Sequence, residues 1–142
     1  MNHVPDPPGS VTNGPTVLLV DDSRETREIY AAYLQHHGYE VLQAADGLSG
    51  VATARVYGPD VIVMNVSLPG LDGITATHRI RHAPELGDVR IVACTGYVRE
   101  EGQGLALAAG CDAYLEKPCS PSQLLREIRR LLDDAAIAGG AD

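Results

Sequence analysis

The stretch from Asp60 to Gly73 constrains the fold of this chain more than any other. Four apolar residues at 61–64 are followed by a polar side chain at Asn65 and then by a turn through Pro69 and Gly70. An apolar run of this length bounded by turn residues is typical of a strand that is buried on both faces. In open α/β sheets, the carboxyl ends of such strands line the functional crevice. We therefore expect Asn65 to lie at the functional edge of a parallel sheet.

Apolar runs of strand length alternate with helical patterns along the rest of the chain. Further strands are predicted at 17–20, 39–43, 89–94 and 113–115. Gly38 and Gly58 are helix-end signals for the first two helices. Asp72 is the expected N-cap of a third helix, and a fourth helix is predicted over 98–109. Ser120, Pro121 and Gln123 form a capping-box start for a fifth helix.

Five strands that alternate with five helices predict the α/β class, with one parallel sheet covered on both sides. The expected architecture is a doubly wound, flavodoxin-like (βα)5 fold with strand order 2-1-3-4-5, which places strands one and three side by side. Pro- and Gly-rich residues 1–15 predict a flexible lead-in, 16–134 the folded domain, and 135–142 a flexible tail.

Composition excludes several classes of function. A net charge of −8 disfavours a nucleic-acid surface. The chain has no run of about 20 apolar residues, so no membrane contact is expected. The three cysteines form neither a C-x-x-C pair nor a zinc-binding spacing, which predicts reduced thiols in a cytoplasmic protein.

Two adjacent acids, Asp21 and Asp22, directly follow the first predicted strand. Neighbouring carboxylates repel one another, so a positive group should compensate them. Mg²⁺ suits such a site because it typically takes one or two carboxylates and keeps several waters. A cap of the first helix by Asp22 or Ser23 would account for only one of the two acids.

Together with residues at the other strand ends, this acid pair resembles the receiver domain of two-component response regulators. The family pattern is an acid pair after strand one, a phosphoacceptor after strand three, Thr or Ser after strand four and Lys-Pro after strand five. The matching positions here are Asp21-Asp22, Asn65, Thr95 and Lys117-Pro118. The match covers essentially the whole folded window.

The resemblance implies a role for each of these residues. Asp21, Asp22, Asn65 and the backbone carbonyl of Ser67 would hold Mg²⁺, and Thr95 and Lys117 would bind a phosphoryl group. Tyr114 is either the aromatic switch of the family or an aromatic that covers the fifth strand. The Lys117-Pro118 bond is a candidate cis peptide. The fourth helix, fifth strand and fifth helix would form the signalling face, and two glycines predict that the fourth helix is locally soft.

The family's phosphoacceptor is an aspartate, whereas this chain carries Asn65. A carboxylate oxygen can attack phosphorus to form an acyl phosphate, but a neutral carboxamide is a poor nucleophile. Aspartyl phosphorylation is therefore blocked, and the magnesium site loses one negative charge. Ser67 is a substitute acceptor only if a base activates it, and no base is evident. A natural atypical receiver and an introduced Asp-to-Asn substitution both fit the pattern, and the lack of an expression tag favours the natural form.

A single-domain receiver that signals through protein contacts is thus the leading interpretation. Its implied partners are a histidine kinase, a histidine phosphotransfer protein or a downstream target, and it is not expected to be an enzyme. A flavin carrier is disfavoured because Asp21-Asp22 would repel a phosphate after strand one. A phosphohydrolase would need a nucleophilic aspartate and a cap domain, for which there is no room. A scaffold with a vestigial site is the third hypothesis.

Overall fold

The computed structural model describes residues 14–66, 71–96 and 100–140. Its strands are β1 (Thr16–Val20), β2 (Glu40–Ala44), β3 (Val61–Asn65), β4 (Arg90–Thr95) and β5 (Ala113–Glu116). Its α-helices are α1 (Arg24–His36), α2 (Gly47–Tyr57), α3 (Gly73–Arg81), α4 (Glu100–Ala109) and α5 (Pro121–Gly140), with a short 3-10 turn at Pro84–Leu86. All strand pairs are parallel and the sheet order is β2-β1-β3-β4-β5, which confirms the predicted architecture.

The two faces of the sheet have separate apolar cores. Because side chains alternate along a strand, Val17 and Leu19 of β1 face a core with α1 and α5, whereas Leu18 and Val20 face a core with α2, α3 and α4. Every residue of β3 is buried, as expected for its continuous apolar run. The sheet is therefore doubly wound around its central strands.

Side-chain caps set the start of several helices. The side chains of Ser23, Asp46 and Asp72 each accept a hydrogen bond from the backbone N–H three residues later. Ser120 and Gln123 form the predicted reciprocal capping box, with the Ser120 N–H donating to Gln123 Oε1 at 2.9 Å and the Gln123 N–H to Ser120 Oγ at 3.1 Å. Ser23 thus caps α1, and both acids of the pair remain available to the site.

Helix α4 is described from Glu100, and residues 98 and 99 of its predicted range lie outside the described residues. Helix α5 continues to Gly140, past the composition boundary at 134. The Ala-rich residues that follow position 134 are strong helix formers and allow α5 to continue. None of the described helices is both long and apolar enough to cross a membrane.

Candidate functional site

The carboxyl ends of the central strands meet at one edge of the sheet. In the register of β1 with β3, Val20 lies beside Met64, so the residues that follow them, Asp21 and Asn65, are neighbours. Asn65 in turn pairs with Cys94 near the end of β4. The apolar β3 run and the parallel pairing together bring the predicted polar residues to this edge.

The acid pair divides into a buried and an exposed member. Asp21 is only 7% exposed, whereas Asp22 lies at the surface. One Asp21 oxygen accepts a hydrogen bond from the Ser23 backbone N–H at 2.8 Å, and the other contacts Lys117 Nζ at 2.7 Å. The Lys117 ammonium therefore supplies the positive compensation that the sequence predicted, and it does so on Asp21.

Asn65 occupies the centre of the site. Its side chain is 7% exposed, and its Nδ2 lies 3.4 Å from Asp22 Oδ1. An amide can donate to a carboxylate in this way, whereas a second carboxylate would repel it. The structure thus brings together Asp21, Asp22, Asn65 and Lys117, all of which were predicted from the sequence.

The segment after β5 holds Lys117 in place. The Lys117–Pro118 peptide bond is cis, as expected from the resemblance. Directly after it, the Cys119 carbonyl accepts a hydrogen bond from the Tyr30 hydroxyl at 2.7 Å. Tyr30 is buried in the α1 core, so this bond ties the lysine-bearing segment to the first helix.

Arg27 supports the acid pair and was not identified from the sequence. Its guanidinium donates to the Asp21 backbone carbonyl through one terminal nitrogen and to Gln43 Oε1 through Nε at 3.1 Å. These bonds link α1, the end of β1 and β2 next to Asp21. The sequence did contain one signal for this role: a cation lies six residues after Asp21, on the helix that follows the acid pair.

The other predicted site residues are Thr95, Tyr114 and Ser67. Thr95 ends β4, and its backbone pairs with Glu116 at the same edge of the sheet. Tyr114 lies on the edge strand β5, half-buried against the core that includes Ala106, and desolvation raises its pKa. The roles of Thr95 and Tyr114 as switch residues remain predictions. Ser67 lies outside the described residues.

Two ionisable side chains near the site, Cys94 and Tyr30, are buried. Cys94 is 2% exposed, and burial raises the pKa of its thiol to about 12. Burial likewise raises the pKa of Tyr30. Both groups therefore stay neutral near pH 7, and the acid pair with Lys117 carries a formal charge of −1.

The acid pair fits Mg²⁺. Asp21 and Asp22 offer two carboxylates, the number that this ion commonly takes from a protein. Over 14–66, 71–96 and 100–140, no cluster of three or more His, Cys, Asp or Glu side chains suits a metal. A bound Mg²⁺ would neutralise phosphoryl oxygens, while Asn65 could add only an uncharged ligand to the acid pair.

Two glycines allow the backbone to pack tightly around the Asn65 loop. A Cβ on Gly73 would lie 2.1 Å from the Asn65 carbonyl oxygen, and the Gly73 N–H donates to Val66 O at 2.9 Å. A Cβ on Gly47, at the start of α2, would lie 2.1 Å from the Leu71 carbonyl oxygen. Helices α2 and α3 therefore hold the two described ends of this loop.

Comparison with known proteins gives one consistent result. The family model described as the response regulator receiver domain matches residues 17–129. The chain is 33% identical over 120 residues to the DNA-binding dual master transcriptional regulator RpaA of Synechocystis, covering 83% of this chain and 49% of RpaA. It thus spans about half the length of that relative.

Solved receiver structures have the same fold. The chemotaxis response regulator CheY4 of Vibrio cholerae is 32% identical with a TM-score of 0.80, covering 84% of this chain and 99% of CheY4. The receiver domain of the sensor histidine kinase PA1611 of Pseudomonas aeruginosa, solved with a magnesium ion in its active-site cleft, is 34% identical with a TM-score of 0.78, covering 84% and 98% of the two chains. The chain therefore belongs to the response regulator receiver domain family of phosphorelay signalling proteins.

Proposed function

We propose that this chain is an atypical receiver that signals through protein contacts and does not accept a phosphoryl group at residue 65. The observation that carries the proposal is the amide of Asn65 at the end of β3, within an otherwise assembled acid–lysine site. Every other anchor of the family pattern is present in the sequence. The phosphoacceptor position alone lacks the carboxylate.

The chemistry of residue 65 explains the loss. In a receiver with Asp at this position, a carboxylate oxygen would attack phosphorus, the bond from phosphorus to the donor would break, and the donor would leave with its electron pair. The Asn65 amide nitrogen donates its lone pair into the carbonyl and is a poor nucleophile. Lys117 could still attract a phosphoryl oxygen, but no acyl phosphate would form.

We further propose that Asn65 weakens Mg²⁺ binding. With Asn at this position, the acid pair and Lys117 sum to one negative charge, and an aspartate there would make it two. The partners we expect are a histidine kinase, a histidine phosphotransfer protein or a downstream target protein, as family membership suggests. A net charge of −8 argues against nucleic acid as a partner.

Asn65→Asp tests the proposal directly. The purified chain and the variant are each incubated with Mg²⁺ and acetyl phosphate, and intact mass spectrometry follows the products. We expect the variant to gain the mass of one phosphoryl group and the Asn65 chain to gain none, because only the variant offers a carboxylate nucleophile.

Asn65→Gln is the matched control, because it keeps an amide at the same strand end and should remain unlabelled. Labelling of the Asn65 chain would contradict the proposal by showing that another residue accepts the phosphoryl group. If neither the chain nor Asn65→Asp were labelled, the site would not be a latent receiver centre, and the vestigial-scaffold interpretation would replace it.

A second prediction concerns the competition between Lys117 and Mg²⁺ for Asp21. Lys117→Met removes the ammonium that lies 2.7 Å from Asp21 Oδ2. Unit charges about 4 Å apart interact by ~4 kcal/mol at an effective dielectric constant of ~20, so we expect Mg²⁺ to bind at least about tenfold more tightly. Isothermal titration calorimetry measures the change, and Lys117→Arg, which keeps the charge, should leave the affinity near its original value. Equal or weaker Mg²⁺ binding by Lys117→Met would show that Lys117 does not restrict the site.

A further inference from the structure

Helix α2 buries small residues and exposes two of its larger apolar side chains. Its buried residues are Gly47, Gly50 and Ala54, whereas Leu48 is 59% exposed and Val56 is 74% exposed. A surface helix normally turns its large apolar side chains to the core and its charged side chains to water. In α2, by contrast, Leu48 and Val56 face water.

Close backbone packing explains the inner face. A Cβ on Gly50 would lie 2.9 Å from Val20 Cγ1, and one on Gly47 would lie 2.1 Å from the Leu71 carbonyl oxygen. The helix therefore approaches β1 and the loop after β3 more closely than larger side chains would allow. The inner face needs small residues, but this packing gives no reason for large apolar residues on the outer face.

The outer face forms a continuous apolar row. Leu48, Ala52 and Val56 are all exposed and follow one another at intervals of four residues, so they lie along one ridge of the helix. The sole charged residue of α2 is Arg55, and it is paired with Glu85 at 3.4 Å. We call Leu48, Ala52 and Val56 the α2 row.

Other exposed large apolar side chains of the described residues do not form such a row. Ile29 is the only one of them on α1, and single exposed apolar residues are common on protein surfaces. Leu105 and Leu107 of α4 are two positions apart and point to different sides of the helix. The α2 row is therefore the exposed apolar feature that most needs a partner.

We propose that the α2 row is a self-association surface on which a second copy of this chain places the same row, antiparallel, about a two-fold axis. The row is symmetric about its middle residue, so Ala52 would face Ala52 of the second copy and Leu48 would face Val56. A small residue on the axis lets the two ridges approach closely, and the same patch serves both copies, as a two-fold interface requires.

Charge supports a second copy as the occupant. Each chain carries −8 overall, yet the only charge on α2 is that of Arg55, which already has an intramolecular partner. The contact thus brings apolar surface together without placing carboxylates of the two helices against each other. The remaining repulsion between the copies is long-range, so added salt should strengthen the association.

The size of the row sets the expected affinity. A three-turn helix face is smaller than the ~800 Å² per partner of a standard stable interface, so the dimer should be weak and dependent on concentration. The row adjoins the Asn65 loop, because Gly47 at the start of α2 packs on Leu71. Self-association does not require phosphorylation of residue 65.

Sedimentation velocity of the full chain, measured over a wide range of concentrations, tests the surface, because a contact below standard interface size should be weak. We expect the weight-average sedimentation coefficient to rise with concentration, and Val56→Asp to abolish the rise. Leu105→Asp on α4 is the matched control, with a similarly exposed apolar residue, and should behave as the unmodified chain does. A chain that stays monomeric, or a rise unaffected by Val56→Asp, would overturn the proposal.

A cysteine on the proposed axis gives an independent readout. Ala52→Cys should form an intermolecular disulfide when oxidised with diamide, because the two thiols would face each other. Ala32→Cys on the exposed side of α1 controls for random collision, and the unmodified chain controls for Cys94, Cys111 and Cys119. Non-reducing electrophoresis should show a dimer that is at least about tenfold more abundant for Ala52→Cys, since a shared site raises the local thiol concentration. Equal cross-linking of Ala52→Cys and Ala32→Cys would overturn the two-fold arrangement.

Discussion

Arg81→Met is expected to lower the free energy of unfolding by about 1 to 3 kcal/mol, the usual cost of leaving a polar group of the interior without its hydrogen-bond partner. Arg81, at the end of α3, donates from Nε to the Gly110 carbonyl at 2.7 Å and from one terminal nitrogen to Asp112 Oδ2 at 2.6 Å. Its other terminal nitrogen donates to the Val89 carbonyl. One side chain thus joins α3, the approach to β4 and the turn before β5.

Removal of this guanidinium leaves polar groups without their partner. The side chains of Arg81 and Asp112 are only 18% and 25% exposed, so water replaces the lost bonds poorly. Arg90 Nη1 lies 3.6 Å from the other Asp112 oxygen, which is a weaker contact. The aliphatic part of Met keeps most of the packing of the arginine stem, so the expected loss is mainly electrostatic.

Denaturant unfolding followed by circular dichroism measures this prediction. Arg79→Met is the matched control, because Arg79 is exposed on the same helix and its loss should change stability by no more than about 0.5 kcal/mol. A similar small change for Arg81→Met would show that the three hydrogen-bonded contacts of Arg81 contribute little to the free energy of unfolding.

Gly73→Ala is expected to lower the free energy of unfolding by about 3 kcal/mol, the upper part of the range for overpacked sites. The added methyl carbon would lie 2.1 Å from the Asn65 carbonyl oxygen and 2.8 Å from Val66 Cα. Both are backbone atoms at the end of the central strand and cannot rotate away as a side chain would. The first turn of α3 or the Asn65 segment must therefore shift.

Gly104→Ala provides a control with the opposite sign. A Cβ at Gly104 would meet no atom within 4 Å, and the residue lies inside α4. Alanine should stabilise the chain by about 1 kcal/mol, through its higher helix propensity and the reduced entropy of the unfolded chain. Thermal unfolding of both variants gives the comparison, and equal shifts of the same sign would contradict the packing argument.

The consequences of Gly73→Ala should be visible at the functional site. If Asn65 moves, the amide resonances of residues near Asp22 and Asn65 should shift in two-dimensional NMR spectra, whereas Gly104→Ala should perturb only α4. Unchanged site resonances in a destabilised Gly73→Ala chain would place the strain within α3 instead.

The fold could be predicted from local sequence patterns. A buried parallel strand needs a continuous apolar run, as at Val61–Asn65, and the helices between such runs start and end at residues with distinct capping chemistry, such as Asp72 and Ser120. Once the alternation of strands and helices is known, the meeting of strand ends follows from parallel geometry. The placement of Asp21, Asp22, Asn65 and Lys117 at one edge therefore required little beyond the sequence.

Only the tertiary structure decided which of these side chains contact one another. Lys117 pairs with Asp21 across 96 residues, Arg27 supports the Asp21 carbonyl, and Arg81 joins three elements. Such contacts depend on how several helices and strands are positioned relative to one another, and no local sequence pattern predicts them. Helix α2 is the clearest case: its glycines approach Val20 and Leu71 closely, and Leu48 and Val56 remain exposed on its outer face. The sequence by itself determined the elements and the edge at which they meet, whereas packing distances decided the ion pairs of the site and the face of α2 that remains exposed.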